Sequence, residues 1–350
     1  MTSESLAGRA PGTLMMYAAF WRYAQGARGR LLIATSLLLA SQAVKLGVPW
    51  LAAQAINKVQ TGGSTSLGEA GWLVVAIFTL YVLSWAMHGP GRILERSVSV
   101  HVRRALSDRL YARLGRLPLQ WHERHHSGET LHRVQQTTGA LYDFAQSQFI
   151  YLQTAVNLAG PIVALMLLSE KTGIVAAAGL VLIGVVIVRF DNQLMTLAGT
   201  ENQAERRYSA ALVDFLGNVS TIIGLRLQEP TRRLLADRLE AVFRPLRRSI
   251  VLTESKWCAV DLLTIGLTWG LVVEYAWRSQ VAAGTLLIGD VFMLYQYAQQ
   301  AGGVIGSIAS HYQDFARKKV DFASAAPILD AAERPAATAP VAADWRTIRL

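Results

Sequence analysis

The chain has 350 residues, of which 52% are hydrophobic and 17% charged, with a formal net charge of +10 and a single cysteine, Cys258. Soluble proteins carry about a quarter charged residues, so apolar residues gathered in long runs point to a membrane protein, and one cysteine excludes an intrachain disulfide or a paired-cysteine metal or redox motif. The basic residues flank the apolar runs and form no basic helix interleaved with stacking aromatics, which argues against a nucleic-acid partner.

Residues 1–30 are mixed and basic, with no small-residue cleavage site ahead of the first apolar run. Within them, 13–25 are amphipathic, with Leu14, Tyr17, Phe20 and Trp21 on one side, as expected of a helix lying in the headgroup region. The first span covers 31–56, interrupted by Lys45 and Pro49, and a Gly/Ser/Thr-rich loop is expected over 57–71. The second span begins near Trp72 and loses its apolar character at Met87, His88 and Gly89. Helical periodicity continues to Arg116, with Ile93, Val100, Ala105, Leu106 and Leu110 as the expected inner positions and a kink expected at Gly89, Pro90 and Gly91. From Ala70 to Arg116 a helix measures about 70 Å, against a hydrocarbon core of about 30 Å, so more than half of it must stand outside a bilayer.

Residues 117–133, reading LPLQWHERHHSGETLHR, interrupt the helical pattern, and Pro118 and Gly128 bracket a short helix there. Trp121 among charged and histidine residues suggests a partner surface; the plainer alternative folds it back onto its own helices. A third helix is expected from Glu129 to Leu168, a minimal turn over 169–173, and a fourth span over 174–188 that continues as polar helix to 216. A second interruption covers 216–229. A helix starting at Pro230 becomes apolar near Trp257 and ends at Trp277, and a tight turn is expected over 278–283. The last span runs from Leu286 to near Ser310 and continues polar to Asp330, and the Ala/Pro-rich residues 331–350 read as a linker.

This makes six spans with both termini on one side. Only Lys58, Lys171 and Arg278 supply positive charge to the short turns, so the Lys/Arg bias assigns the long extensions and both termini to the cytoplasm of a bacterial inner membrane. The chain divides into an N-terminal segment (1–30), a six-helix transmembrane domain (31–330) with intracellular loops near 85–143 and 189–256, and the linker (331–350).

Three stretches give the pattern a family likeness. Residues 117–133 carry Trp121, His122, Glu123, Gly128, Glu129, His132 and Arg133; residues 214–229 read DFLGNVSTIIGLRLQE; residues 284–297 read GTLLIGDVFMLYQY, with Gly284, Leu287, Gly289, Phe292 and Tyr297. Together they resemble the first intracellular loop, the second intracellular loop and the start of the sixth helix of an ABC exporter transmembrane domain of the half-transporter type, over residues 12 to 335. Several positions depart from that pattern. Trp121 and His122 replace a phenylalanine pair, Ile223 and Leu225 replace a Lys and a Phe, and an arginine of the sixth helix is absent near Ser324. The sequence contains no GxxxxGK phosphate loop followed by Ser or Thr and no LSGGQ-type stretch, so the chain alone is not expected to hydrolyse ATP. Residues 345–350, WRTIRL, resemble the first strand of a nucleotide-binding domain.

The resemblance implies an all-α membrane fold with two coupling helices, in which Trp121, His122, Glu123, Arg124, Asn218, Val219 and Ser220 engage a nucleotide-binding partner. That partner would hold ATP and Mg, and this chain no cofactor. A second transmembrane domain, homo- or heterodimeric, and membrane lipids complete the implied partners. The other class considered is a nucleotide-independent carrier or regulator built on the same scaffold.

Polar residues inside spans are costly and default to function. Gln42 and Lys45 share a face of the first span; Gln146, Gln153 and Asn157 form a stripe on the third; Glu254 and Asp261 lie seven apart on the fifth; Gln296, Gln299 and Gln300 mark the sixth. All are substrate-cavity candidates, with interhelical hydrogen bonding as the alternative for each. Glu274 and Asp290 fall near the short-turn ends, Asp290 as a helix cap. The pairs Gly266/Gly270 and Gly302/Gly306 permit close helix contact. His122, His125, His126 and His132 have metal-like spacing but read as surface residues of a polar loop, with no metal expected.

Overall fold

The computed structural model describes residues 13–334, and these are helical almost throughout, with no strand among them. The elements are α1 (Thr13–Tyr23), α2 (Arg28–Gly62), α3 (Leu67–Leu114), α4 (Leu119–Arg124), α5 (Ser127–Gln146), α6 (Gln148–Leu168), α7 (Glu170–Gly217), α8 (Val219–Gly224), α9 (Gln228–Ala283), α10 (Ile288–Ala323) and α11 (Ala326–Leu329). The linker residues beyond 334, including WRTIRL, lie outside the described residues.

Among the described residues five stretches are long and apolar enough to cross a membrane: Arg28–Gly62, Leu67–Leu114, Ser127–Leu168, Glu170–Gly217 and Gln228–Val281. The expected sixth span, α10, is not among them, because Gln296, Gln299 and Gln300 interrupt its apolar run. It is instead strongly two-faced, with Met293, Leu294, Tyr297, Ala298 and Ala301 buried. At 48 residues each, α3 and α7 measure about 72 Å, more than twice a bilayer's hydrocarbon core.

Several boundaries differ from the sequence expectation. The supposed loop over 57–71 is helix to Gly62, a single 3₁₀ turn over Gly63–Ser66, then α3; Ser66 Oγ donates to the Lys58 carbonyl at 2.7 Å and closes the corner. The turn expected over 278–283 is still α9, which ends only where Gly284 adopts φ +64°, a conformation open to glycine at little cost. The single third helix is two, α5 and α6, broken at Ser147.

The chain forms two compact units, with α2, α3, α6 and α10 contributing residues to both. One comprises the described residues up to Val48, Ala76–Val156 and those from Ser307 onward. Its core centres on Phe144, whose ring meets Tyr17, Phe20, Tyr151 and Phe315 at centroid distances of 5.0 to 6.3 Å. On α3 the buried positions are Val98, Val102, Leu106 and Leu110. Ile93 and Val100, expected inside, are exposed, and Ala105 is half-buried. On α1 the inward residues are Met16 and Phe20; Leu14 and Trp21 face out, and Tyr17 is partly exposed with its ring against Phe144. Both corrections have one cause. Both segments carry apolar residues on more than one face, so hydrophobicity alone does not say which way either helix turns.

The other unit comprises Pro49–Val75 and Asn157–Gly306. Here α7 lies along α9, and Ala53, Leu165, Ala176, Leu271, Leu294 and Tyr297 form the core. Gly289 fits directly against the backbone carbonyl of Ala53, and a Cβ there would collide with it. Of the glycine pairs, Gly302 faces Thr264 and Gly306 faces the Trp257 ring, whereas Gly266 and Gly270 have open space beside them.

Candidate functional site

The first interruption, α4, is a six-residue helix whose His122, Glu123 and Arg124 are exposed. Trp121 is turned back. It is half-buried against the core of its unit and stacked on the His125 ring at 4.1 Å, while His125 Nδ1 lies 2.8 Å from the Trp121 carbonyl. The apolar side chain that α4 presents outward is Leu119, which is 74% exposed. A groove of about 570 Å³ runs beside α4, lined by Tyr111, Leu114, His122, His126, Leu131 and Val134 among others. The histidines are engaged separately: His122 Nε2 lies 3.1 Å from the Leu114 carbonyl.

The second interruption, α8, exposes more apolar surface. Leu216, Val219, Ile223 and Leu225 are all exposed, at the junction of two helices far longer than a bilayer is thick. Asn218 caps the junction: its Nδ2 donates to the Asp214 carbonyl at 2.8 Å, which fixes the angle between α7 and α8. Ser220 is exposed. Just past α8, Arg226 takes φ +53°, a left-handed conformation that a non-glycine residue adopts at a cost of about 1–2 kcal/mol. Beyond it, Arg232 and Arg233 both pair with Glu229 and hold its carboxyl down at about 2.

Polar residues of the spans fall into separate groups. In the first unit Gln42 is buried and donates to Ser41 Oγ at 3.4 Å, while Ser84 Oγ donates to the Ser41 carbonyl at 3.2 Å. Lys45 has its ammonium 5.8 Å from the Trp85 ring centroid and no carboxylate partner among the described residues. Gln146 donates to Asp143 at 2.9 Å, and Gln153 is half-buried. In the second unit Gln300 donates to Asn157 at 2.9 Å, joining two of the candidates. Gln299 is half-buried, and Glu254, Asp261 and Gln296 are exposed.

Two arrangements were missed by the sequence reading. On α3, Arg92 and Glu95 pair with each other and grip both sides of the break at Ser147. Arg92 donates to the Gln146 carbonyl at 3.2 Å, and Glu95 accepts the Phe149 N–H at 2.7 Å. From the other side, Lys318 donates to Ser147 Oγ at 3.0 Å and to Asp314 at 2.6 Å. The signal was an acid, Glu95, at the i−3 and i−7 positions of the inward Val98 and Val102. The second arrangement caps α10 from a distance. Asn57 Oδ1 accepts the Gly289 N–H at 2.8 Å, and Gln60 Oε1 accepts that of Ile288 at 2.8 Å. Asp290 accepts from Asn57 Nδ2 at 2.9 Å and Tyr275 OH at 3.2 Å, so it fastens the start of α10 to α2 and α9.

A third tie holds the last described residues. Arg113 donates to the carbonyls of Leu329 at 2.9 Å and Ala331 at 2.6 Å and pairs with Glu333, while the Arg334 N–H reaches the Arg116 carbonyl at 2.9 Å.

Residues 31–303 match a family model described as the ABC transporter transmembrane region. No curated protein matches the chain.

Proposed function

The chain belongs to the ABC transporter transmembrane region family, and from that premise we infer that it forms the substrate pathway of an ATP-driven exporter. It is an integral membrane protein, and the matched region is a transmembrane one, not a catalytic ATPase domain. ATP and Mg would therefore sit on a partner nucleotide-binding domain, docked on α4 and α8.

The observation that carries this reading is the apolar surface of α8. Leu216, Val219, Ile223 and Leu225 are exposed at the far end of helices that must project well beyond a bilayer. Lipid cannot cover residues at that distance, and contiguous apolar exposure in water marks a partner site. Glu123, Arg124 and His122 would supply a polar rim around Leu119 at the other loop. Driven closure of the ATPase partners would then move α7 and α9 as rigid levers and alternate the access of the pathway. The charge pattern supports cytoplasmic extensions in a bacterial inner membrane, with a second transmembrane domain completing the pathway.

The test is to express the chain together with a nucleotide-binding domain of the same family supplied in trans and to purify on a tag carried by this chain. Stoichiometric recovery of the ATPase, with ATP-dependent uptake into inverted vesicles, is the expected result. Uptake driven by an ion gradient and unaffected by nucleotide would establish a carrier instead.

A further inference from the structure

Near the middle of the first span, the residues of the first unit form a file of charged and aromatic groups: Lys45, Trp85, His88, Phe149 and Arg92. The Lys45 ammonium lies 5.8 Å from the Trp85 centroid, and the Trp85 and His88 rings meet edge to face at 5.1 Å. His88 and Phe149 meet at 4.7 Å, and the Arg92 guanidinium lies 5.0 Å over Phe149.

The charges along this file are not balanced. Arg92 is neutralised by Glu95. Among the described residues of its own unit Lys45 makes no ion pair, and the buried His88 Nδ1 has no hydrogen-bond partner there. Lys45 stands 14 residues beyond Leu31 in a continuous helix, about 21 Å in, inside a hydrocarbon core of about 30 Å. A cation held at that depth without a counter-charge, beside an unsatisfied imidazole nitrogen, is incomplete by the ordinary rules for buried polar groups. Trp85, 61% exposed, and Phe149 provide apolar surface on either side of it.

We propose that Lys45, Trp85 and His88 form a recognition site for an anionic amphiphile: a phosphate or carboxylate carried on an apolar tail. The anion pairs with Lys45 and accepts from His88, and the tail lies along Trp85 and Phe149. The two sources of that chemistry are a transported amphiphile and an anionic membrane lipid. The proposal rests on the reading of the chain as a substrate pathway, but binding needs neither nucleotide nor an ATPase partner.

The test uses the purified full chain in a neutral detergent, titrated with n-dodecyl phosphate, n-dodecylphosphocholine, inorganic phosphate and phosphatidylglycerol, with bound adducts counted by native mass spectrometry. The unmodified chain and a Lys58→Met control should bind dodecyl phosphate alike. Lys45→Met, which swaps a charge for an apolar chain of similar length, should weaken binding about tenfold and leave phosphocholine binding unchanged. Trp85→Leu should weaken both dodecyl ligands. If phosphatidylglycerol loses affinity in Lys45→Met in parallel with dodecyl phosphate, the occupant is lipid; if only dodecyl phosphate does, it is a transported amphiphile. Equal dodecyl phosphate affinity in Lys45→Met and the unmodified chain overturns the site, as does inorganic phosphate binding as tightly as the tailed form. Intact binding without ATP-dependent uptake would count against the exporter reading alone.

Discussion

Glu95 of α3 accepts the backbone N–H of Phe149 at 2.7 Å, so a carboxylate 54 residues away caps the helix that begins just past Ser147. A helix start leaves its first N–H groups without partners, and the preceding helix leaves its last carbonyls in the same state. The Arg92–Glu95 pair answers one of each, and the break is thereby stabilised as a fixed joint.

Removing one partner of that pair should cost much more than removing both. Glu95→Ala strands Arg92 and the Phe149 N–H, and loss of half of a buried pair costs about 3–5 kcal/mol. A joint Arg92→Met, Glu95→Leu replacement should recover most of that. Thermal unfolding of the detergent-solubilised chain checks this; equal losses for the single and double variants would show that the pair does not hold the joint.

Leu119 and Trp121 lie two residues apart and should respond oppositely. Trp121 packs on the core of its unit, so Trp121→Ala should lower stability by about 1–3 kcal/mol, less than the loss from a fully buried tryptophan. Leu119→Ala should leave the melting temperature unchanged and weaken recovery of the ATPase subunit several-fold. Pull-down and thermal unfolding on the same preparations separate the two effects.

Much of this was legible in sequence, and the failures share a physical origin. The two interruptions and the over-long helices around them follow from hydropathy, proline and glycine, whereas the end of α9 at Gly284 was set several residues too early because its last turns are polar. The break at Ser147 has neither proline nor glycine to announce it; it is imposed by Arg92, Glu95 and Lys318 from other helices. The facing of α3 was misread because Ile93 and Val100 are apolar yet exposed while Val98 and Val102 beside them are buried, so the apolar stripe has no single edge. Trp121 could be placed only by knowing that His125 stacks on it. Of the cavity candidates, Asn157 and Gln300 meet, a pairing that no local pattern encodes.

The start of α9 gives a pH expectation. Hydrogen bonds from Arg232 and Arg233 lower the Glu229 carboxyl from the usual 4.5 to about 2. A carboxylate lowered on folding contributes its full stabilisation above its unfolded value and loses it as pH falls through the folded one. The first turn of α9 should thus hold unchanged from neutrality to near pH 4.5 and loosen progressively toward pH 2. Carboxyl carbon shifts of Glu229 through an acid titration check this; a midpoint near the usual value would show that the arginines do not hold it.

The remote caps on α10 carry a consequence for biosynthesis. Asn57 and Gln60 leave the ribosome more than 220 residues before the backbone groups they satisfy at Leu286, Ile288 and Gly289. Until α10 is made these side-chain amides lack those partners, and α10 cannot secure its first turn from neighbours in its own sequence. Docking of α10 and completion of these caps are therefore one event. A nascent chain released before Gly289 would expose two unsatisfied amides, a polar mark by which quality control could tell the incomplete protein from the finished one.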